Sequence, residues 1–372
     1  MIPIAAPDVG EPEIEAVREV IESGQLADGP AVRRFEDAFA DLCGTEYAVA
    51  TTNGTTALHA TFEALGVGEG DAVVTTPFSF VASANAIRLA GAEPVFADVD
   101  PETLTIDPRA VGEILAERDD VAAVLPVHLY GMPAEMDRLR GLADAHDVAL
   151  VEDAAQAHGA RYDGEVVGSL GDAGCFSFYP TKNVTSAEGG MVTTDDAELA
   201  DRIRRFCDHG RVSGYEHDAV GHNFRLTSVC AAIGSAQLER LPSFNLARRG
   251  NAAYLNDRLA DSAVETPTER PGVRPVYHQY TIRTDDREAL AAHLEAHGVD
   301  SAVYYPIPIH EQAAYDGYDV DAPVAERAAE RVLSLPVHPG LSVEDVRTVA
   351  RAVESFEPDV DAPAPEPEVM DS

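Results

Sequence analysis

Apolar positions recur every three to four residues over Glu13 to Glu22 and again over Val32 to Leu42, which predicts two amphipathic helices. Gly24 and Gly44 follow as their C-terminal stops. Beyond them the period shortens. Tyr47 to Thr51, Ala72 to Thr76, Pro94 to Ala97, Ala122 to Val127 and Val148 to Val151 are short β-rich runs, separated by helical stretches at Thr55 to Leu65, Val81 to Leu89, Arg109 to Glu117 and Ala134 to His146. Strand then helix, repeated, predicts an α/β fold with a large, mostly parallel sheet covered by helices on both faces; ligands of such sheets sit at the carboxyl ends of strands. After Arg225 the pattern becomes a long helical stretch, broken at Pro242, and then a smaller α/β region. The expected layout is a large domain over residues 1–242, a smaller C-terminal α/β domain over 243–356, and an acidic, proline-rich disordered tail over 357–372.

No apolar run approaches the roughly 20 residues that span a bilayer, and the start of the chain, Met1-Ile2-Pro3-Ile4, lacks the basic opening of a secretory signal. The expectation is a cytoplasmic protein with no membrane partner. Cys43, Cys175, Cys207 and Cys230 are scattered without a CxxC pair, so neither a metal site nor a disulfide framework is indicated. The net charge of −38 is spread along the whole chain, which argues against nucleic acid as a partner. Such a surface repels itself at low ionic strength, whereas at 1 M salt the Debye length falls to about 3 Å. The reading is a halophilic protein adapted to a salty cytoplasm.

Charge type changes the picture more than charge number. Of the 27 basic residues, 26 are Arg and only Lys182 is Lys. Arginine serves solubility and ion pairing as well as lysine does, but its guanidinium stays protonated and cannot form a Schiff base. A position where only an amine will do would keep its lysine; survival by chance on a solvated loop is the plain alternative, and the context decides. Cys175-Phe176-Ser177-Phe178 reads as a short apolar strand just before Lys182, and Glu188-Gly189-Gly190 leads into a second, so the lysine sits on a turn between ordered elements. A buried amine gives up its proton more readily than a free one of pKa about 10.4.

Around that turn stand residues of fitting chemistry, each with an ordinary alternative. Ser177 has a hydroxyl for a phosphate, or is a strand serine bonded to backbone. Thr51-Thr52-Asn53-Gly54-Thr55-Thr56 ends a strand and opens a helix, whose free N–H groups suit an anion, although a Thr or Asn there often only caps. No P-loop pattern occurs. Asp153, in Glu152-Asp153-Ala154-Ala155-Gln156, lies where the sheet would leave a carboxylate at its carboxyl edge, to pair with a protonated pyridine nitrogen or to cap a helix. Phe80 can stack on a cofactor ring or fill a core.

The order and spacing of these motifs resemble the DegT/DnrJ/EryC1/StrS family of sugar aminotransferases, within the fold-type-I pyridoxal-phosphate (PLP) enzymes. The resemblance runs over roughly residues 2 to 355 and includes Pro77 to Asn85, Gly221 to Thr227 and Tyr304 to His310. It implies that Lys182 holds PLP as a Schiff base and shuttles protons, and that Asp153 keeps the ring nitrogen protonated. It implies also that Gln156 contacts the ring face or phenolic oxygen while Phe80 stacks on the other face. Gly54, Thr55 and Ser177 would bind the phosphate, with Asn223 reaching it from a neighbouring subunit, so that the active site is shared in a homodimer. Arg225, Tyr305 and His310 fall on the substrate side. Sugar dehydratases of this family carry His in place of the lysine, so Lys182 favours transamination. The implied partners are an amino donor, glutamate, and a nucleotide-linked 3-keto or 4-keto hexose bound for a polysaccharide or glycan. Two rivals stand beside this reading: a regulatory protein that binds PLP or a nucleotide sugar without catalysis, and another PLP enzyme of the same fold.

Overall fold

Helix α2 (Pro30–Cys43) carries its pattern directly into packing. Val32, Phe35, Phe39, Ala40 and Cys43 share one face and all are buried. Phe39 meets Phe176 and Phe178 edge-on, with ring centroids at 4.8 and 5.3 Å. Truncating such a ring costs about 3–5 kcal/mol, and here it would loosen the strand that leads to Lys182. Helix α1 (Glu11–Ser23) and α2 both end on left-handed glycines, Gly24 and Gly44, where the sequence placed their stops. The computed structural model describes residues 1–318 and 320–358; from residue 359 onward the expected tail lies outside the described residues.

Seven strands form the main sheet: β1 (Tyr47–Thr51), β2 (Ala72–Thr75), β3 (Glu93–Phe96), β4 (Val121–Leu125), β5 (Ala149–Asp153), β6 (Ala173–Ser177) and β7 (Gly190–Thr194). Their spatial order is β1-β7-β6-β5-β4-β2-β3, and β7 alone runs against its neighbours. Helices α3 (Gly54–Leu65), α4 (Ala82–Leu89) and α7 (Ala197–Cys207) cover one face. On the other lie α2, α5 (Pro108–Glu117), α6 (Met136–His146) and the first half of α8 (Ser228–Leu259). Both faces are dry, which is why β2 and β7 are buried at every position.

The reversed strand places the chemistry. Ser177 at the end of β6 pairs with Gly190 at the start of β7. The connection between them therefore hangs over the carboxyl edge of the parallel strands, and that connection carries Lys182.

A second core gathers around Tyr280, Leu290, Leu294, Leu333 and Val349. It is built on the antiparallel pair β8 (Tyr280–Arg283) and β9 (Val332–Leu335), with α9 (Arg287–Ala296) and α11 (Val343–Glu354). Ile2 bridges to Val299 and packs on this core as well, so the first residues belong with the second unit. Helix α10 (Pro323–Arg331) precedes β9. The expected break at Pro242 is corrected: α8 runs unbroken through it. Proline there removes one backbone donor, but Leu241 and Phe244 beside it are buried in the first core while Ala252, Leu255 and Leu259 enter the second. Burial at both ends outweighs the lost bond, and one helix serves both cores. No helix among the described residues is long and apolar enough to cross a membrane.

Candidate active site

The turn after β6 is closed by its own backbone. The Lys182 N–H donates to the Tyr179 carbonyl at 2.9 Å, and the Phe178 carbonyl accepts from both the Thr185 hydroxyl (2.9 Å) and the Ser186 N–H (3.1 Å). Next to the lysine, buried Asn183 donates to Asn245 Oδ1 at 2.9 Å and to the Val276 carbonyl at 3.2 Å, which ties the turn to α8 and to the chain beyond it. Lys182 itself is half-buried. Burial lowers its pKa to about 8, with the nearby Asp153 charge pulling the other way.

Asp153 ends β5 and is 6% exposed. Its Oδ2 accepts from the Ser83 hydroxyl at 2.7 Å and its Oδ1 from the Ala155 N–H at 3.2 Å. Burial pushes its pKa up; the Ser83 bond, the Ala155 N–H and the charge of Lys182 oppose that. Among the described residues no basic side chain forms an ion pair with it. The end of β5 is rigid for a reason found on its other side. Glu152, fully buried, accepts from the Gly168, Leu170 and Gly171 N–H groups at 2.7–2.9 Å and meets His128 Nε2 at 2.9 Å. His128 Nδ1 accepts the Ala134 N–H at 3.0 Å, so Nε2 carries the proton and donates to Glu152.

Gln156 is held at both ends of its amide: Oε1 accepts the Tyr130 N–H at 2.6 Å and Nε2 donates to the Tyr305 hydroxyl at 2.8 Å. Tyr130 adopts φ 57°, uncommon for a bulky residue, and its hydroxyl bonds the Tyr304 carbonyl. Tyr305 thus reaches from the second unit into the cleft. Its phenol is pushed well above the usual range by burial and then by the Asp153 charge. Phe80 stands beside it, ring centroids 6.2 Å apart, and remains 57% exposed.

At the third side, Asn53 caps α3 by accepting the Thr56 N–H at 2.9 Å, which leaves the N–H groups of Gly54 and Thr55 directed off the helix end. A Cβ on Gly54 would stand 2.9 Å from Ser177 Cβ. The lack of a side chain therefore lets the helix start press against the end of β6. Gly190 is equally constrained, since a Cβ there would meet the Asn53 carbonyl at 2.3 Å.

Gly54, Thr55, Phe80, Asp153, Gln156, Ser177, Lys182 and Tyr305 are thus carried by elements that meet along one sheet edge. Three other candidates are placed differently. Asn223 is exposed, on the segment that returns from α7, where its backbone bridges Asp208. Arg225 gives its guanidinium to Asp208. His310 bonds Glu326 at 3.2 Å and lies against Phe96. Ser83, Tyr130, His128 and Asn183 are contributors that the sequence reading missed; the Pro77 to Asn85 motif contains the first without singling it out.

This arrangement fits pyridoxal phosphate on its own terms. A buried carboxylate that forms no ion pair among the described residues, an amine of lowered pKa and a pressed-in helix start beside a serine are the three partners that a ring nitrogen, an aldehyde and a phosphate require. The sequence profile of the DegT/DnrJ/EryC1/StrS aminotransferase family matches residues 7–354. A pleiotropic regulatory protein of Geobacillus stearothermophilus is 40% identical, over 93% of this chain and 95% of its own length. A UDP-N-acetyl-3-dehydro-α-D-glucosamine 3-aminotransferase of Acidithiobacillus ferrooxidans is 38% identical, over 91% and 92%. DesV of S. venezuelae, solved in complex with a ketimine intermediate, superimposes with a TM-score of 0.89 at 40% identity, covering 92% of this chain and 93% of that one. With a lysine, a buried carboxylate and a helix start beside a serine brought to one sheet edge and a profile match over nearly the whole chain, this protein belongs to the DegT/DnrJ/EryC1/StrS aminotransferase family, whose cofactor is pyridoxal phosphate.

Proposed function

We propose that this chain moves an amino group from glutamate onto the keto carbon of a nucleotide-linked 3-keto or 4-keto hexose, as a homodimer in a salty cytoplasm, for polysaccharide or glycan synthesis. The observation that carries the reading is the chain's one lysine, at a pKa near 8, close to a buried carboxylate that forms no ion pair among the described residues. Pyridoxal phosphate, when bound, supplies the electron sink that lets the α-proton of an amino acid be removed. Lys182 would hold it covalently and then carry that proton, a task for a base whose pKa lies near neutrality. Asp153 would keep the ring nitrogen protonated, Phe80 and Gln156 would bound the ring, and Gly54, Thr55 and Ser177 would take the phosphate together with Asn223 of the partner subunit. Tyr305 would face the sugar. Arg225 and His310 would do so only after exchanging Asp208 and Glu326 for substrate. The relative that acts, by its name, on a UDP-linked 3-dehydro sugar supports the 3-keto form of the substrate.

The regulatory name of the 40% identical relative keeps the non-catalytic rival in view, yet a mere binder needs no acid–base lysine. The test is a two-stage assay in high salt: glutamate first, with 2-oxoglutarate measured, then UDP- and dTDP-linked 3-keto and 4-keto hexoses, with the amino sugar read by mass. Glutamate turnover followed by amination of one of these sugars supports the reading. Release of 2-oxoglutarate with no sugar aminated would place the substrate outside this class, and no release would remove glutamate as donor.

A further inference from the structure

We infer that Ser79 and Ser83 form a two-hydroxyl relay that holds Asp153 as the anionic partner of the cofactor's ring nitrogen, so that both serines are positioning residues. The inference rests on the assignment of Asp153 to that nitrogen. Ser83, in the first turn of α4, places its hydroxyl 2.7 Å from Asp153 Oδ2, and the Ser79 hydroxyl lies 3.1 Å from that of Ser83. Exposures of 4% and 1% shut water away from both. A carboxylate only accepts, so the single Ser83 proton points to Asp153 and the Ser79 proton must point to Ser83. The chain of donors has one direction, and each bond polarises the next.

A helical serine ordinarily bonds back to the carbonyl four residues earlier. Ser79 is that residue, yet Ser83 engages its hydroxyl, not its carbonyl. The relay also begins beside Phe80, whose carbonyl accepts the Ser83 N–H at 3.2 Å. The loop that carries the exposed aromatic ring and the carboxylate are thereby one unit.

Burial drives Asp153 toward its neutral form, and the Ser83 hydroxyl leads the groups that resist. The charged or titratable groups facing it are Lys182, which favours the anion, His128, whose ring is engaged by Glu152 and the Ala134 N–H, and Tyr305 and Cys175, whose own protons its charge helps to retain. Glu152 on the same strand is engaged with His128 and the Gly168 to Gly171 backbone. Removing Ser83 takes a donor from the anion and raises the pH below which the carboxyl is protonated.

The experiment titrates PLP into wild type, Ser83→Ala, Ser83→Thr and Ser79→Ala in high salt, following absorbance of the lysine-linked cofactor from roughly pH 5 to 9, with melting temperatures alongside. Losing one hydrogen bond to an ion is expected to weaken PLP affinity of Ser83→Ala by about tenfold or more at neutral pH. The pH at which affinity falls on acidification should move upward. Ser79→Ala should move the same limb by less, and Ser83→Thr should restore it. An unmoved acid limb in Ser83→Ala, or a loss equal at every pH, would overturn the relay; if Ser83→Thr does not fold, Ser79→Ala decides by the same limb. Wild type that captures no PLP would instead fault the cofactor site.

Discussion

At Lys182 two effects compete: burial, which expels charge, and the Asp153 anion, which invites it. Burial wins. With a pKa near 8, roughly a tenth of the amine is neutral at pH 7, against fewer than about one in a thousand for a free lysine. The rate at which the protein captures PLP should therefore rise with pH through a midpoint near 8, measured by stopped-flow absorbance. Asp153→Asn removes the opposing anion and should shift that midpoint downward; an unmoved midpoint would show that the two groups do not feel each other. Lys182 was legible in the sequence because the chain replaced lysine everywhere else. Ser83 and Tyr130 were not. A serine in a first turn has several ordinary uses, and Tyr130 acts through its backbone N–H to Gln156, 26 residues away, which no local pattern announces.

Among the elements, α3 and β6 meet through the absence of a side chain. Gly54→Ala is neutral or favourable for the helix by propensity, but its Cβ would stand 2.9 Å from Ser177 Cβ. The two must part by a few tenths of an ångström. We expect near-normal melting and a PLP affinity reduced about tenfold; an unchanged affinity would mean that the helix start and Ser177 do not share a ligand. The elements themselves were largely readable. β1 matches its expected span residue for residue, and the parallel strands and left-handed glycine stops fell where hydrophobic period and turn chemistry put them. Pro242 was misread because a local helix-breaking signal says nothing about two cores that bury the helix on either side of it. The reversal of β7, which places the lysine turn at the sheet's ligand edge, depends on strand pairing that a single sequence does not contain.

At the scale of the whole molecule, 65 acidic residues face 27 basic ones, so pairing cannot neutralise the surface. Arg270 shared among Asp100, Glu102 and Glu135, and Arg331 between Glu265 and Asp285, gather acids around single guanidinium groups. Pairs of this kind, still reached by solvent, contribute little each, about 1 kcal/mol or less. Screening must do the rest, so the melting temperature should rise steadily from roughly 0.1 to 2 M KCl, the range over which the Debye length shrinks most usefully; a flat or falling curve would contradict the account of the charge. The position of Asn223, exposed and on the segment after α7, bears on assembly. If Asn223 completes a neighbouring site, mixed dimers of inactive Lys182→Ala and Asn223→Ala subunits hold one intact site, and random mixing should restore about a quarter of wild-type sites. No recovery would leave each cleft self-sufficient.

The most direct test of the central claim uses the chain's single lysine. PLP-loaded protein is reduced with borohydride in high salt and mapped by peptide mass, with and without prior glutamate. The account predicts an adduct on Lys182 that glutamate, added first, prevents. An adduct confined to the N-terminal amine, or none at all, would contradict it.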